Sequence, residues 1–539
     1  MKFDLRSVAS WPLLLAVTFF LIPVFLAVSY PASFWIGTDY ETLGLADALN
    51  LAYRLADRKM YVATGMAYHP GVPFYLMSWL ALAFAGYPIA SADSGFYAAV
   101  LADVEKYHRI TIWINALAGA VGVYLFARTA RKLVPIGAVV AGLAIWLFST
   151  PATLLTFASP SIDSFGILIN ALFFAVVVRL AFDRDVLLRV AALAASVGVL
   201  GYLNKLSYVY IGLTLAITGI LNLVFRRPGW IRSVMCCVVF GAVFFLVVKI
   251  VGSSIIGQEA FDALMEYHKQ VIRGSGMYGT GPEVVVSSDE VWRAIAAIPG
   301  DKSYALAFAL IGGALLAIAG FATALRGLEH VPVGILGIGA GLASAMSAAI
   351  VLKHYALHYT AGVSATLPGS LVVGYLLVQH WGYRPRVIAG VVAAVAIVFM
   401  SAQTMPVVTG VLTSRMVTVE HVKADMADIR VHLAGEKRVV EYVYKAPFAE
   451  YGEGFVVTYG SVPRMTEAYL KSRPNVISSM TVGLIDREVG VFVLDKGYFR
   501  TADSIKAAPN IALLAAKPVT MADGDKLIEL RTVFLLMRK

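Results

Sequence analysis

Long apolar segments recur along the first three quarters of this 539-residue chain, and they constrain its fold more than any other feature. A helix that crosses the hydrocarbon core of a membrane needs roughly 17–25 apolar residues, and about eleven segments meet that requirement. They cover about residues 11–29, 110–127, 134–150, 162–180, 187–203, 206–225, 233–252, 303–324, 331–351, 360–379 and 387–407. Only 14% of the residues are charged, so the pattern predicts a polytopic α-helical membrane protein.

Basic residues indicate on which side of the membrane each predicted loop lies, because cytoplasmic loops are enriched in Lys and Arg. One threading places every short basic loop on a single side: these loops carry Lys2, Arg6, Arg128, Arg131, Lys132, Arg179, Arg184, Arg189, Arg226, Arg227, Arg232, Arg326, Arg384 and Arg386. It requires that the apolar run at 72–85, only about fourteen residues long, does not cross the bilayer. The amino terminus is then cytoplasmic and the carboxyl terminus lies outside.

Two classes of protein are disfavoured by composition. The net charge of +10 does not indicate a nucleic-acid partner, because cytoplasmic membrane loops collect basic residues in any case. The two cysteines, Cys236 and Cys237, are adjacent in an apolar segment, so we expect no disulfide framework. The run at 11–29 is long for a signal peptide, so we expect it to be retained as the first span.

Two predicted outer loops are longer than a connector requires, and long loops are often functional. In the loop at 30–109, apolar residues recur every three to four positions between 45 and 60, which predicts a helix in the plane of the interface. The run at 72–85 would be a second, more deeply embedded one. The loop at 253–302 contains a glycine-rich segment at 274–281, which suggests a mobile gate.

The carboxyl-terminal part of the chain differs in composition from the membrane part. From about residue 403 polar and apolar residues are mixed, and no further span is present. Strands are predicted at 454–460, 491–494 and 530–537, with a helix at 462–472. We therefore predict a membrane domain at 1–410 and a small extracytoplasmic α/β domain at 411–539.

Acidic residues gather on the predicted outer face. Asp39 and Glu41 form an Asp-x-Glu pair about ten residues beyond the first span, and solvated loop charges are the commoner explanation of such a pair. Asp163 lies at the outer mouth of the fourth span, where it could equally cap the helix. Two acidic sites from separate outer loops could form a general base or hold a divalent cation, with Asp39 and Asp163 as its ligands.

Basic residues accompany them on the same face. Lys205 lies in a short turn between the fifth and sixth spans, either as a lysine that snorkels to the surface or as a partner for an anionic head group. Lys353, His354 and His358 cluster at the outer end of the ninth span, and the two histidines share a face if that segment is helical. Zinc would need further ligands, so phosphate contact fits better. His69 precedes Pro70 at the start of the embedded run. It is either an interfacial histidine without a function or a part of the site.

The order and sidedness of these motifs resemble the GT-C superfamily of membrane glycosyltransferases, in the branch with protein O-mannosyltransferases and aminoarabinose transferases. The shared features are a long first outer loop with an Asp-x-Glu pair, in-plane helices, a basic-Pro step and an Asp in the second outer loop. Residues 203–205 are similar to a Thr-Lys-Gly turn of some members, and Arg109 resembles a residue at the head of their second span. The resemblance covers about residues 1–410; the step here is His-Pro-Gly, where members often have Pro-Pro after the basic residue.

The resemblance implies transfer of one sugar from a polyprenyl-phosphate carrier to a lipid, glycan or protein acceptor at the outer face of a bacterial inner membrane. Asp39 would be the general base, and Glu41 and Asp163 would orient the acceptor or hold a divalent metal ion. The phosphate and substrate would be bound by His69, Arg109, Lys205, Lys353, His354 and His358.

A transporter or flippase for lipid-linked or small anionic substrates is the alternative from another class. Transporters usually place polar groups near the middle of the membrane, often with broken helices or inverted repeats. Here the charges gather at the outer edge of the spans, which favours an enzyme. A scaffold protein is a third option, but it would not need Asp39, Asp163 and Lys205 to converge.

Overall fold

The computed structural model describes most of the membrane part of the chain and a portion of the carboxyl-terminal part. The described residues are 11–30, 71–85, 99–100, 102–157, 159, 161–183, 187–274, 283–284, 287–382, 385–433, 438–442, 470–471, 474–477, 489–496, 499–507 and 521–539. Several predictions therefore lie outside them: the sites at Asp39, Glu41 and His69, the in-plane helix near 45–60, the strand at 454–460, and all but residues 470–471 of the helix at 462–472.

Helices make up the described membrane part. Those before residue 257 are α1 (Trp11–Ser29), α2 (Val72–Phe84), α3 (Val104–Ala130), α4 (Ile136–Phe148), α5 (Pro151–Phe157), α6 (Gly166–Phe182), α7 (Leu187–Asn204), α8 (Val209–Arg226) and α9 (Trp230–Ile256). The later ones are α10 (Gln258–Arg273), α11 (Ser288–Asp301), α12 (Tyr304–Ala307), α13 (Gly313–Ala324), α14 (Val331–Lys353), α15 (Thr360–Ser364), α16 (Leu367–His380) and α17 (Pro385–His432). Three short 3₁₀ turns, Ile162–Phe165, Leu206–Tyr208 and Leu357–Tyr359, precede α6, α8 and α15.

Seven of the described helical segments are long and apolar enough to cross a membrane, or nine if each of two bent pairs is one span. The first pair, α4 and α5, bends by 88°, and the second, α15 and α16 with their preceding turn, bends by 41°. The predicted spans at 11–29 and 187–203 are helical but appear as the shorter apolar helices Trp11–Leu26 and Leu188–Asn204. The chain is a polytopic helical membrane protein, and eleven crossings stay a prediction.

Helix α2 corresponds to the run that sequence sidedness excludes from the spans. It has 13 residues, which at 1.5 Å per residue give about 20 Å, less than the roughly 30 Å of a hydrocarbon core. Phe74 and Leu82 are fully buried, so one face of α2 packs inside the bundle. Its length agrees with the prediction that it does not cross the membrane by itself.

Glycines allow α13 and α14 to pack with their backbones in close approach. A Cβ on Gly320 would lie 2.6 Å from the backbone nitrogen of Ile338, and one on Gly341 would lie 2.4 Å from that of Ala317. Small residues are common where membrane helices contact each other, because close packing, and not the hydrophobic effect, drives their association in lipid. This contact fixes the position of α14, which ends at Lys353.

The predicted loop at 253–302 is mostly helical. Helix α9 extends to Ile256, and α10 and α11 follow it. On α10 the buried residues Phe261, Leu264 and His268 recur every three to four positions, so this helix packs one apolar face against the bundle. The mobile gate predicted at the glycine-rich segment stays a prediction, because most of that segment, 275–281, lies outside the described part of the chain.

Helix α17 continues far beyond its membrane part. It has 48 residues, or about 72 Å, and it passes through the predicted domain boundary at 410. A five-stranded sheet follows in the order β2-β1-β3-β5-β4, with strands β1 (Arg438–Tyr442), β2 (Val476–Ile477), β3 (Val489–Asp495), β4 (Lys526–Glu529) and β5 (Val533–Met537). Strand β1 is parallel to β2 and β3, whereas β5 is antiparallel to β3 and β4.

The sheet packs directly on the polar end of α17. Val422 and Ile429 of the helix form one apolar cluster with Val491 and Val533 of the sheet. The predicted strand at 491–494 is confirmed within β3, and the one at 530–537 is confirmed from Val533 onward. The extracytoplasmic position of this part stays a prediction from basic-loop sidedness.

Candidate functional site

Lys205 occupies the turn between α7 and the 3₁₀ turn that precedes α8, as its sequence position predicts. Its backbone is extended, and its carbonyl accepts the Tyr208 N–H at 2.9 Å, which closes the turn. The side chain is only 1% exposed. A lysine that snorkels would carry its ammonium to water, so that interpretation is wrong: the ammonium is buried inside the protein.

Asp163 is the partner that makes this burial possible. Lys205 Nζ donates to Asp163 Oδ2 at 2.6 Å, and the aspartate side chain is 5% exposed. Ser161, rather than Asp163, caps the 3₁₀ turn, because its hydroxyl accepts the Asp163 N–H. The carboxylate is therefore free to pair with the lysine. Two buried charges are tolerated only when they are paired in good geometry.

Tyr359 covers the other side of the lysine. Its ring centroid lies 4.3 Å from Lys205 Nζ, within the range of a cation–π interaction. The same ring contacts His358 at 4.2 Å and His354 at 5.8 Å between centroids. Tyr359 thus joins the histidine cluster to the ion pair. Tyr359 was not among the site residues predicted from sequence, although an aromatic residue directly after His358 in a predicted outer turn is a usable signal.

The head of α2 meets the same turn. The Gly71 N–H donates to the Asn204 carbonyl at 3.0 Å, and Asn204 Nδ2 donates to the Ile162 carbonyl at 3.2 Å. Gly71 has φ +55°, and a Cβ there would lie 2.3 Å from the Tyr75 ring, so this position favours glycine. The turn that holds Lys205 therefore contacts both the Asp163 turn and the residue that follows His69 and Pro70.

Lys353 and the two histidines are placed differently from one another. Helix α14 ends at Lys353, and His354 leaves the helix with φ −146°. His354 and His358 are therefore not on one helical face, contrary to the helical case considered from sequence. The Lys353 ammonium donates to the carbonyls of Val271 and, at 2.8 Å, of Ile272, in the last turn of α10. It stabilises the negative end of that helix.

Burial alters the acidity of two groups near the site that lie outside the spans. Burial lowers the pKa of the Lys205 ammonium below its usual value, although the neighbouring Asp163 carboxylate opposes this shift. Burial also lowers the pKa of the His354 imidazole, and Glu290 opposes that change. Both shifts favour neutral forms, so the site disfavours any additional unpaired positive charge.

Three buried polar atoms near the Asp163 turn have no hydrogen-bond partner among the described residues. They are Asn115 Oδ1, Asn204 Oδ1 and the Tyr208 hydroxyl. Asn115 Nδ2 does donate to the Ser159 carbonyl at 2.7 Å, so this asparagine is fixed against the turn. Unpaired buried polar atoms are rare and costly, so these three atoms are candidates for bonds to ordered water.

The remaining predicted site residues are less well defined. Arg109 lies on α3, half-exposed, six residues before Asn115, which corresponds to about 9 Å along the helix. Within the described ranges no group of three or more His, Cys, Asp or Glu residues could hold a metal ion. A divalent ion between Asp39 and Asp163 stays a prediction, since Asp39 lies outside the described residues.

Comparison with known proteins gives no family assignment. No protein-family model matches the chain, and a search of curated proteins finds no significant match. The functional conclusion therefore depends on the residues and their geometry.

Proposed function

We propose that this protein is a membrane glycosyltransferase that moves one sugar from a polyprenyl-phosphate donor to an acceptor at the outer face of the membrane. The observation that supports this most is the ion pair of Lys205 with Asp163, formed where Gly71 and the turns before α6, α8 and α15 meet. The sequence pattern predicts that both residues belong to one site, and the two side chains are in direct contact. A convergence of this kind is expected of an active site.

The chemistry suits the residues. The donor is an anionic phosphate held in lipid, and cationic side chains at the interface bind such a group. In the reaction a general base removes the proton of the acceptor hydroxyl, and the resulting oxygen attacks the anomeric carbon. The bond between that carbon and the phosphate oxygen breaks, and the polyprenyl phosphate leaves with its negative charge stabilised by nearby cations.

Lys205 and Asp163 have complementary roles in this proposal. Asp163 keeps the Lys205 ammonium fixed and charge-balanced while the site is empty of donor. In this proposal the Tyr359 ring, which covers the ammonium, moves aside when the donor binds, and the donor phosphate then shares the ammonium with the aspartate. Asp39 is the proposed base, and Glu41 the neighbouring carboxylate that orients the acceptor.

The test is sugar transfer by the purified full-length protein in detergent with a polyprenyl-phosphate sugar. Since the acceptor is not identified, slow hydrolysis of the donor is the practical measurement. Asp39→Asn should lower turnover by about 10²–10⁴-fold, the usual contribution of a general base. Asp428→Asn, the same change at a half-exposed carboxylate of α17, is the control and should leave turnover unchanged. Undiminished turnover in folded Asp39→Asn would transfer the role to Glu41.

A transporter is the second candidate because two helix pairs are broken. Broken helices are typical of transporter cores, and here hydroxyl pairs join them: Thr150 with Thr360 and Thr153 with Ser364, each at 2.8 Å. The two functions are separable in detergent micelles, where no compartments exist. Donor turnover in micelles supports the transferase, whereas substrate movement across proteoliposomes without turnover supports the transporter.

A further inference from the structure

Two histidines meet at the ends of α14 and α16 that the basic-loop pattern assigns to the cytoplasmic face. His330 Nδ1 lies 2.8 Å from His380 Nε2, with the ring centroids 5.0 Å apart and the ring planes inclined at 77°. At this distance the two imidazole nitrogens share one proton, and a slightly wider separation would let them share one metal ion. Neither histidine was singled out from sequence, because they are 50 positions apart in the chain.

The backbone around both rings is fixed. The His330 N–H donates to the Gly327 carbonyl at 3.0 Å, and His330 is the residue directly before α14. His380 is the last residue of α16, and the adjacent Trp381 donates its indole N–H to Thr323 Oγ1 at 3.1 Å. Ligands that are held by rigid elements bind a metal with less loss of freedom than ligands on loose loops.

Glu329 lies beside the second ring nitrogen of His330, where a carboxylate favours the tautomer that such a site needs. Its carboxylate Oε1 lies 3.5 Å from His330 Nε2, the nitrogen that faces away from His380. A proton on Nε2 is favoured by this carboxylate and leaves the Nδ1 lone pair directed at His380. Metal-binding histidines commonly have a carboxylate behind the second ring nitrogen in this manner.

We propose that His330 and His380 form a two-histidine site for a divalent transition-metal cation of the zinc or nickel class, with water completing the coordination. Imidazole nitrogen is a preferred ligand of these ions. Zn–N bonds of about 2.0–2.1 Å at tetrahedral angles place the two nitrogens about 3.3 Å apart. The rings therefore need to separate by about half an ångström from their hydrogen-bonded distance.

Solvent access and the local charge both permit a metal ion to bind between the two histidines. The His330 side chain is 31% exposed, so an ion can reach the pair from solvent. Arg326, which stacks on Trp381 at 5.7 Å, opposes a cation, and Glu329 offsets it. Within the described residues no third histidine, cysteine or carboxylate completes a larger cluster here. The site is thus a two-ligand clamp and does not depend on the proposed transferase activity.

The clamp would join α14 and α16. The opposite end of α14 carries Lys353, and the opposite end of α16 follows α15 and the turn that contains Tyr359. Helix α14 has 23 residues, so Lys353 at its other end is about 35 Å from His330. A metal ion that binds only the folded state increases the free energy of unfolding, and the increase grows with the metal concentration. Metal would therefore hold the ends of α14 and α16 together at the face away from Tyr359.

The test uses the tag-free full-length protein in detergent, titrated with zinc chloride or nickel chloride by calorimetry and by thermal unfolding. One equivalent should bind and raise the melting temperature. His330→Gln and His380→Gln should each abolish the binding heat and the shift, and Glu329→Gln should weaken affinity by about tenfold. His421→Gln, at an exposed histidine of α17, is the matched control and should keep both.

Three results would overturn the proposal. The first is an absence of saturable binding to the wild-type protein. The second is binding that persists in both histidine variants or disappears in the control. The third is a combined result: His330→Gln and His380→Gln lower the melting temperature, but metal does not change that of the wild-type protein. The pair would then be a hydrogen bond with a shared proton and not a metal site. Glu329→Gln, whose side chain is 78% exposed, gives an independent measurement if a histidine variant does not fold.

Discussion

The ammonium of Lys205 lies 2.6 Å from the carboxylate of Asp163, and both side chains are almost completely removed from solvent. The two residues are 42 positions apart and come from different turns, so the pair ties α7 and α8 to the start of α6. A buried pair of this kind has two possible reasons to exist, structural and catalytic, and substitutions can separate them.

The first prediction concerns this pair. Asp163→Leu or Lys205→Met alone leaves one buried charge without its partner and should lower stability by about 3–5 kcal/mol. The double variant Asp163→Leu/Lys205→Met removes both charges and should restore most of that loss. Thermal unfolding in detergent measures stability, and donor hydrolysis measures function. A well-folded double variant with normal turnover would show that the pair is structural and would contradict its place in the site.

The second prediction concerns Gly71. Gly71→Ala places a side chain at φ +55° and 2.3 Å from the Tyr75 ring, so it should cost about 1–3 kcal/mol. Because the Gly71 N–H is bonded to the turn that holds Lys205, donor turnover should fall as well. Gly219→Ala in α8, where a Cβ meets nothing within 4 Å, is the control and should not reduce the melting temperature. Equal melting temperatures of both variants would contradict the strained turn.

The third prediction is a pH dependence from His354. Burial lowers its folded-state pKa below the ordinary value of 6.5, so between the two pKa values the unfolded state binds the proton and the folded state does not. Stability should therefore rise with pH through that window and be fully present above pH 6.5. His354→Gln should flatten the fall of melting temperature below pH 6.5, whereas His421→Gln should leave it unchanged. A slope that is the same in all three proteins would show that His354 contributes nothing.

Sequence predicted the membrane part well where one physical signal dominates. Apolar runs located the helices, because a segment of that composition has no alternative to helix in lipid. Lys205 was identified in its turn because it breaks the basic-inside pattern. Its pairing with Asp163 was not predictable, since the contact depends on how two distant turns meet. Tyr359 was missed for the same reason: its importance comes from the cation beneath its ring.

Two further differences have a simple physical origin. The segment at 253–302 was predicted as a loop because it lies between two apolar spans, yet α10 and α11 form because amphipathic helices need only one apolar face. Helix α17 was predicted to end near 407, where composition becomes polar. A helix that leaves the membrane changes its surface without breaking its hydrogen bonds, so composition marks the membrane boundary and not the end of the helix.

The last prediction concerns how the sheet is held on α17. Asp425 is fully buried and accepts hydrogen bonds from the backbone N–H and side chain of Arg531 at 3.0 Å and from the Thr532 hydroxyl at 2.6 Å. Asp425→Asn turns one oxygen into a donor that faces these donors, and it should cost about 1–3 kcal/mol of docking stability. The sheet should then separate from the helix more often.

Limited proteolysis and hydrogen exchange of β5 amides would detect that separation, while helices α13 and α14 should keep their protection. Asp428→Asn is a matched control, because this carboxylate contacts the same Arg531 side chain at 3.0 Å but is 48% exposed. Its effect should be much smaller, since surface ion pairs contribute little. If Asp425→Asn exchanges no faster than Asp428→Asn, the apolar cluster around Val422 and Val491 holds the sheet without the aspartate.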